Sequence, residues 1–149
     1  MMPITDFHTY GELVYSLQGL YPRVLRSTLV LASIGPTLAK VEGQVLFETD
    51  VVLDVWELVD FDARKIRNYS YEIYHAGEKI AWYDPFEHPD IPELASTHPH
   101  HKHIPPDLRR NRIPAPDMSF EEPNLPTLIE EIEREIIPSF LLTPDPFTP

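Results

Sequence analysis

Leu13, Val14, Leu17 and Leu20 recur at helical intervals behind Thr9-Tyr10-Gly11-Glu12, whose spacing is that of a capping box. This predicts a helix over residues 9–21, ended by Pro22. From Arg23 onward the pattern changes to β-branched and aromatic runs. Residues 40–47, 51–61, 65–75 and 78–84 are such runs, set apart by turn residues at Gly35-Pro36, Thr49-Asp50, Asp62-Ala63 and Ala76-Gly77. The breaks are hairpin-sized, so the runs predict an antiparallel meander. Residues 23–33 read as one further strand, with a helix as the alternative.

After Asp84 the chain is punctuated by Pro85, Pro89, Pro92, Pro99, Pro105, Pro106, Pro114, Pro116 and Pro123, which forbid long regular elements between 85 and 123. A loop of that length inside a compact domain tends to be functional. The last apolar stripe is Leu125, Leu128, Ile129, Ile132 and Ile136, with Asn124 placed to cap its helix and Pro138 to stop it. The predicted fold class is α+β. A meander of about four to five strands is packed by an N-terminal and a C-terminal helix and carries a long Pro/His-rich loop. One domain is expected over residues 1–137, followed by a Pro-rich tail over 138–149.

Composition narrows the class. A chain of 149 residues with 42% hydrophobic positions is long enough for one real core and too apolar for a disordered segment. No apolar run approaches the roughly 20 residues that span a bilayer, and residues 1–6 lack the pattern of a signal peptide. The absence of cysteine excludes disulfides, thiolate metal sites and a cysteine nucleophile, and agrees with a cytoplasmic location. The net charge of −12 argues against general nucleic-acid binding. Charge is unevenly spread. Residues 42–62 hold Glu42, Glu48, Asp50, Asp54, Glu57, Asp60 and Asp62 with no Lys or Arg, and residues 117–135 hold seven acids against Arg134. Residues 98–113 instead hold Lys102, Arg109, Arg110 and Arg112 against Asp107, a net of +3. The acidic stretches are either solvated surface or the side that meets a basic partner, and the basic stretch suits an anion.

Five of the seven histidines lie between 88 and 103: His88, His98, His100, His101 and His103. If residues 98–103 are extended, His101 and His103 face one way, and His98, His100 and Lys102 the other. Two imidazoles on one side can take and return a proton near neutral pH, while Lys102 and the following arginines hold a phosphate. That combination suits metal-independent RNA cleavage, in which one group activates the 2′-hydroxyl and another protonates the leaving oxygen. The His-x-His spacing also fits zinc or another divalent ion, with Asp84 or Glu87 as a further ligand. A solvated loop without chemistry is the third reading. The one carried forward assigns no metal and no cofactor.

Glu57 breaks the apolar row Val51, Leu53, Val55 and Val59. Either it sits at the sheet rim, where a charge costs little, or it lies inward and orients a loop histidine. Tyr69, Tyr71 and Tyr83 are expected to pack on the sheet with their hydroxyls at its edge.

In chain order, Glu57, Tyr69-Ser70-Tyr71-Glu72, Tyr83-Asp84, His88-Pro89 and above all Pro99-His100-His101-Lys102-His103, followed by a terminal helix, resemble the TumE-type toxin family. That family is the toxin half of prokaryotic toxin–antitoxin gene pairs. The resemblance runs from about residue 41 to residue 137. It departs from the family pattern at Trp82, where members tend to carry arginine. It implies a small toxin neutralised by an antitoxin, commonly one with a helix-turn-helix DNA-binding domain, with a ribonuclease-like activity as an extension. The residues expected to act on RNA are His101, His103 and Lys102, supported by His88, Asp84 and Glu57. His100, Arg109, Arg110 and Arg112 are expected to bind the substrate.

Overall fold

The computed structural model describes residues 2–141 of the chain. Helix α1 (Phe7–Tyr15) starts two residues before the expected capping box, with its cap three residues ahead of Thr9. Asp6 is the cap: its Oδ1 accepts the Thr9 amide at 2.8 Å, while Glu12 pairs with His8. The predicted single helix breaks at Ser16 and resumes as α2 (Leu17–Leu20), with Tyr10, Leu13, Val14 and Leu17 on its buried stripe.

The stretch predicted as one strand over 23–33 is two, β1 (Val24–Ser27) and β2 (Val30–Ser33), both antiparallel to β3 (Leu38–Phe47). Gly43 explains the division. It has φ 138°, and a Cβ there would stand 2.7 Å from the carbonyl oxygen of Thr28. The backbone at Thr28 leans into that space; its amide donates to the Gln44 carbonyl and its hydroxyl accepts the Gln44 amide. A single-turn 3₁₀ helix (Glu48–Asp50) leads into the meander β4 (Val51–Asp60), β5 (Lys65–His75) and β6 (Glu78–Asp84), as the period-two pattern predicts.

The Pro/His-rich loop is not strandless. A 3₁₀ segment (Pro92–Thr97) is followed by β7 (His101–His103) and β8 (Arg112–Pro114), which extend the sheet past β6. The sheet therefore has eight strands among the described residues, in the order β1-β3-β4-β5-β6-β7-β8 with β2 also on β3, rather than four or five.

One face is covered. Val51, Leu53, Val55 and Val59 of β4, Ile66, Tyr69, Tyr71 and Ile73 of β5, and Ala81 and Tyr83 of β6 are buried with α1, α2 and the C-terminal helix. That helix runs through α3 (Leu125–Glu131), a π-helical turn (Ile132–Ile136) and α4 (Ile137–Leu141). Pro138 does not stop it. In the π turn the Ile137 amide bonds to the Ile132 carbonyl, so the wider register has replaced α bonding before the residue with no N–H is reached. Asn124 does not cap α3 with its side chain. That side chain is buried, accepts the Ser119 amide and donates to Tyr71 and the Ser119 carbonyl. Of the predicted tail, residues 138–141 belong to this helix, and residues 142–149 lie outside the described part.

Candidate functional site

Strand register assembles the site. Between β6 and β7, Trp82 faces His103, Tyr83 faces Lys102 and Asp84 faces His101. Between β7 and β8, His103 faces Arg112 and His101 faces Pro114. Because side chains alternate along a strand, Trp82, His103 and Arg112 form one row, and Asp84, His101 and Pro114 the next. Both rows lie on the face turned away from the helices. Tyr83 and Lys102 lie on the helix side, where both reach Glu131.

Asp84, His101 and His103 converge. His103 Nε2 is 3.1 Å from Asp84 Oδ2, His101 Nε2 is 3.3 Å from Asp84 Oδ1, and the two Nε2 atoms are 3.1 Å apart. The outer nitrogens meet backbone carbonyls: His101 Nδ1 that of Pro99 at 3.1 Å, His103 Nδ1 that of Leu108 at 2.5 Å. A carbonyl oxygen only accepts, so each Nδ1 carries a proton and each Nε2 is turned inward, a bare lone pair whenever its ring holds only that one proton. The Phe86 amide donates to Asp84 Oδ1 at 2.8 Å and fixes the carboxylate. Trp82 stacks on His103 with centroids 4.3 Å apart, and His88 meets His101 edge-on at 4.9 Å.

A cavity of about 310 Å³ opens beside the trio, lined by Trp82, Asp84, Phe86, His88, His103, Arg109 and Arg112. Phe86 at its rim is 70% exposed. The Nε of Arg112 is buried and has no hydrogen-bond partner among the described residues. Burial is the largest influence on the Asp84 carboxyl and pushes it up. His103, the Phe86 amide and the charge of both imidazoles outweigh it and hold it below 3.8. Burial lowers His101 and His88, the latter with help from Arg112.

The remaining expected residues lie elsewhere. Lys102 is ion-paired to Glu131 on the opposite face, so it cannot hold a phosphate in this cavity. His100 stacks on Tyr69, whose hydroxyl is 2.6 Å from its Nδ1, and burial lowers its pKa. Arg110 is exposed beside Asp107. Glu57 is wholly buried, neither at the rim nor beside a histidine. Tyr10 of α1 donates to its Oε1 at 2.5 Å and Tyr71 to its Oε2. Tyr71 and Tyr83 accordingly turn their hydroxyls to partners under the helices rather than to a free edge. Trp82 entered the sequence picture only as a departure from the family pattern, and Phe86 not at all. The Pro99 and Leu108 carbonyls carry no sequence signal, because any residue supplies one.

The Toxin TumE family profile matches residues 15–136. The chain belongs to the TumE toxin family. The match takes in the whole sheet, including β1 and β2, where the sequence resemblance is faint, and ends in the π turn. No curated protein and no solved structure matches the chain. No helix among the described residues is long and apolar enough to cross a membrane.

Proposed function

We propose that this TumE-family protein is the toxin of a toxin–antitoxin pair and that it cleaves RNA in the cavity beside Asp84, His101 and His103. The observation that carries this reading is the buried, unpartnered Arg112 Nε at a cavity that Asp84 and His103 of the trio also line. A guanidinium donor kept from water and from protein acceptors suits a phosphate oxygen, with Arg109 as a second cation. Phe86, exposed at the same opening, offers an apolar ring face on which an unpaired base stacks.

In the reaction the 2′-oxygen attacks the adjacent phosphorus, the bond to the 5′-oxygen breaks, and a cyclic phosphate and a free 5′-hydroxyl are left. One proton leaves the 2′-oxygen and one reaches the 5′-oxygen. His101 and His103 point at each other and act as one unit with Asp84. His88, on the cavity wall, is the second imidazole for the paired proton transfers. Lys102 is a positioning residue through Glu131.

The partner is a cognate antitoxin, often one with a helix-turn-helix domain, which brings a basic surface to a chain of net charge −12. Induced expression with and without the neighbouring antitoxin gene tests the reading. Growth arrest with loss of bulk RNA, relieved by the neighbour and absent in His103→Gln, is expected. Arrest with intact RNA contradicts it.

A further inference from the structure

We infer that Asp84, His101 and His103 form a binding site for one divalent transition-metal ion, open toward the cavity. The inference shares with the proposed function only the assignment of this trio as the working centre; it does not require RNA as the substrate.

Three observations carry it. The first is the donor set. Two imidazole nitrogens and one carboxylate, all three side chains buried, can present ligand atoms within 4.8 Å of one another. Such a set suits zinc, ferrous, manganous or cobaltous ions, whereas magnesium and calcium favour all-oxygen surroundings.

The second is spacing. Ligands bonded at about 2.0–2.2 Å to one ion, with angles between octahedral and tetrahedral, stand about 2.8–3.6 Å apart. The distances here are 3.1 Å, 3.1 Å and 3.3 Å, the two involving Asp84 using different carboxylate oxygens. All three separations fall within that range, which hydrogen bonds also share.

The third is the direction of the lone pairs. With both Nδ1 atoms turned to the Pro99 and Leu108 carbonyls, both Nε2 atoms and Asp84 Oδ2 are left facing one point, where none has another protein donor among the described residues. That point needs a positive occupant. Hydrogen bonding of the outer nitrogen to a carbonyl is also how metal-bound imidazoles are held in tautomer and orientation.

A proton is the competing occupant. Placed on one imidazole, it lets a single Nε2–H reach one acceptor well and leaves the others crowded. An ion satisfies all three at once. It would stand beside the cavity that holds Arg109 and Arg112 and act on a bound phosphate as a Lewis acid.

The test uses tag-free, full-length protein stripped with chelator and titrated by calorimetry with zinc and, separately, with cobaltous ion, whose visible absorption reports tetrahedral or five-coordinate nitrogen–oxygen ligation. One ion per chain is expected, at least about tenfold weaker in Asp84→Asn and in His103→Gln. Exposed His98→Ala serves as the comparison and is expected to bind as wild type. Thermal melts of the metal-free variants establish that they remain folded. Absence of saturable binding, or equal affinity in both site variants, overturns the inference. RNA cleavage by chelator-stripped protein would then still stand, with a proton in place of the ion. Specific metal binding without RNA cleavage would remove the RNA reading and leave the metal site.

Discussion

Lys102 Nζ lies 2.7 Å from Glu131 Oε1, joining the middle of the three-residue strand β7 to helix α3. Tyr83, opposite Lys102 across the β6–β7 ladder, donates to the other oxygen of the same carboxylate. Both side chains of the ion pair are mostly buried. A three-residue strand has little cohesion of its own, so this cluster fixes the height at which His101 and His103 stand over Asp84. Lys102→Met is predicted to cost about 1–3 kcal/mol, since it leaves a mostly buried carboxylate with one donor fewer. Urea denaturation measures the loss. Activity per folded molecule should fall far less than in His103→Gln; an equal fall would return Lys102 to the chemistry.

How much of this was legible in the sequence depended on range. β4 to β6 followed from alternation over seven or more residues. So did the opposed faces of Lys102 and its flanking histidines. β7 and β8 did not, because three residues between prolines show no period, and only pairing with β6 makes them strands. Glu57 was visible as an anomaly with an inward position as one of two readings, but its partners were not visible. Its partners come from α1 and β5, and no local pattern announces a tyrosine that reaches it from 47 positions away. The convergence of Asp84 with the histidines likewise rests on ladder register, fixed by tertiary structure.

Glu57 yields a pH prediction. Burial raises its carboxyl above 4.5, and the hydrogen bonds from Tyr10 and Tyr71 offset only part of that. Between 4.5 and the raised value the folded chain holds a proton that the unfolded chain has lost, so stability falls as pH climbs through this window and stays lower above it. Asp84 contributes with the opposite sign, but its folded value lies below 3.8, so its contribution is present above that range and is lost in acid. In Glu57→Gln the falling component should vanish. The difference between wild-type and variant unfolding free energies, followed from about pH 4 to pH 8, isolates it. A difference independent of pH would mean that Glu57 stays ionised in the fold.

Arg112 should act on substrate binding rather than on proton transfer. Arg112→Lys keeps the charge and loses the buried Nε–H. The expected result is a KM for RNA raised about tenfold with a smaller change in kcat. A fall confined to kcat would place Arg112 at the reacting atoms.

On the partner side, two of the four acids of the C-terminal helix are engaged by other elements, and Glu135 pairs only with the exposed Arg134 beside it. Glu131 holds Lys102 and Tyr83, and Glu133 Oε2 accepts the Arg23 amide at 2.8 Å. Charge reversal at Glu133 would therefore disturb the fold. Glu130 and Glu135 are exposed. Reversing both is predicted to slow association with a cognate antitoxin and to flatten its salt dependence. Unchanged association rates across a salt series would leave that helix face merely solvated.

The central claim is that the Asp84–His101–His103 trio cleaves RNA. Its most direct test incubates tag-free protein with an end-labelled single-stranded RNA, beside the same strand with 2′-deoxy sugars, and follows the products with time. The account predicts fragments ending in cyclic phosphate from the RNA alone, at rates lowered by at least about a hundredfold in Asp84→Asn and His103→Gln. Cleavage unchanged in both variants, or RNA left intact by a preparation that arrests growth when induced, would contradict it.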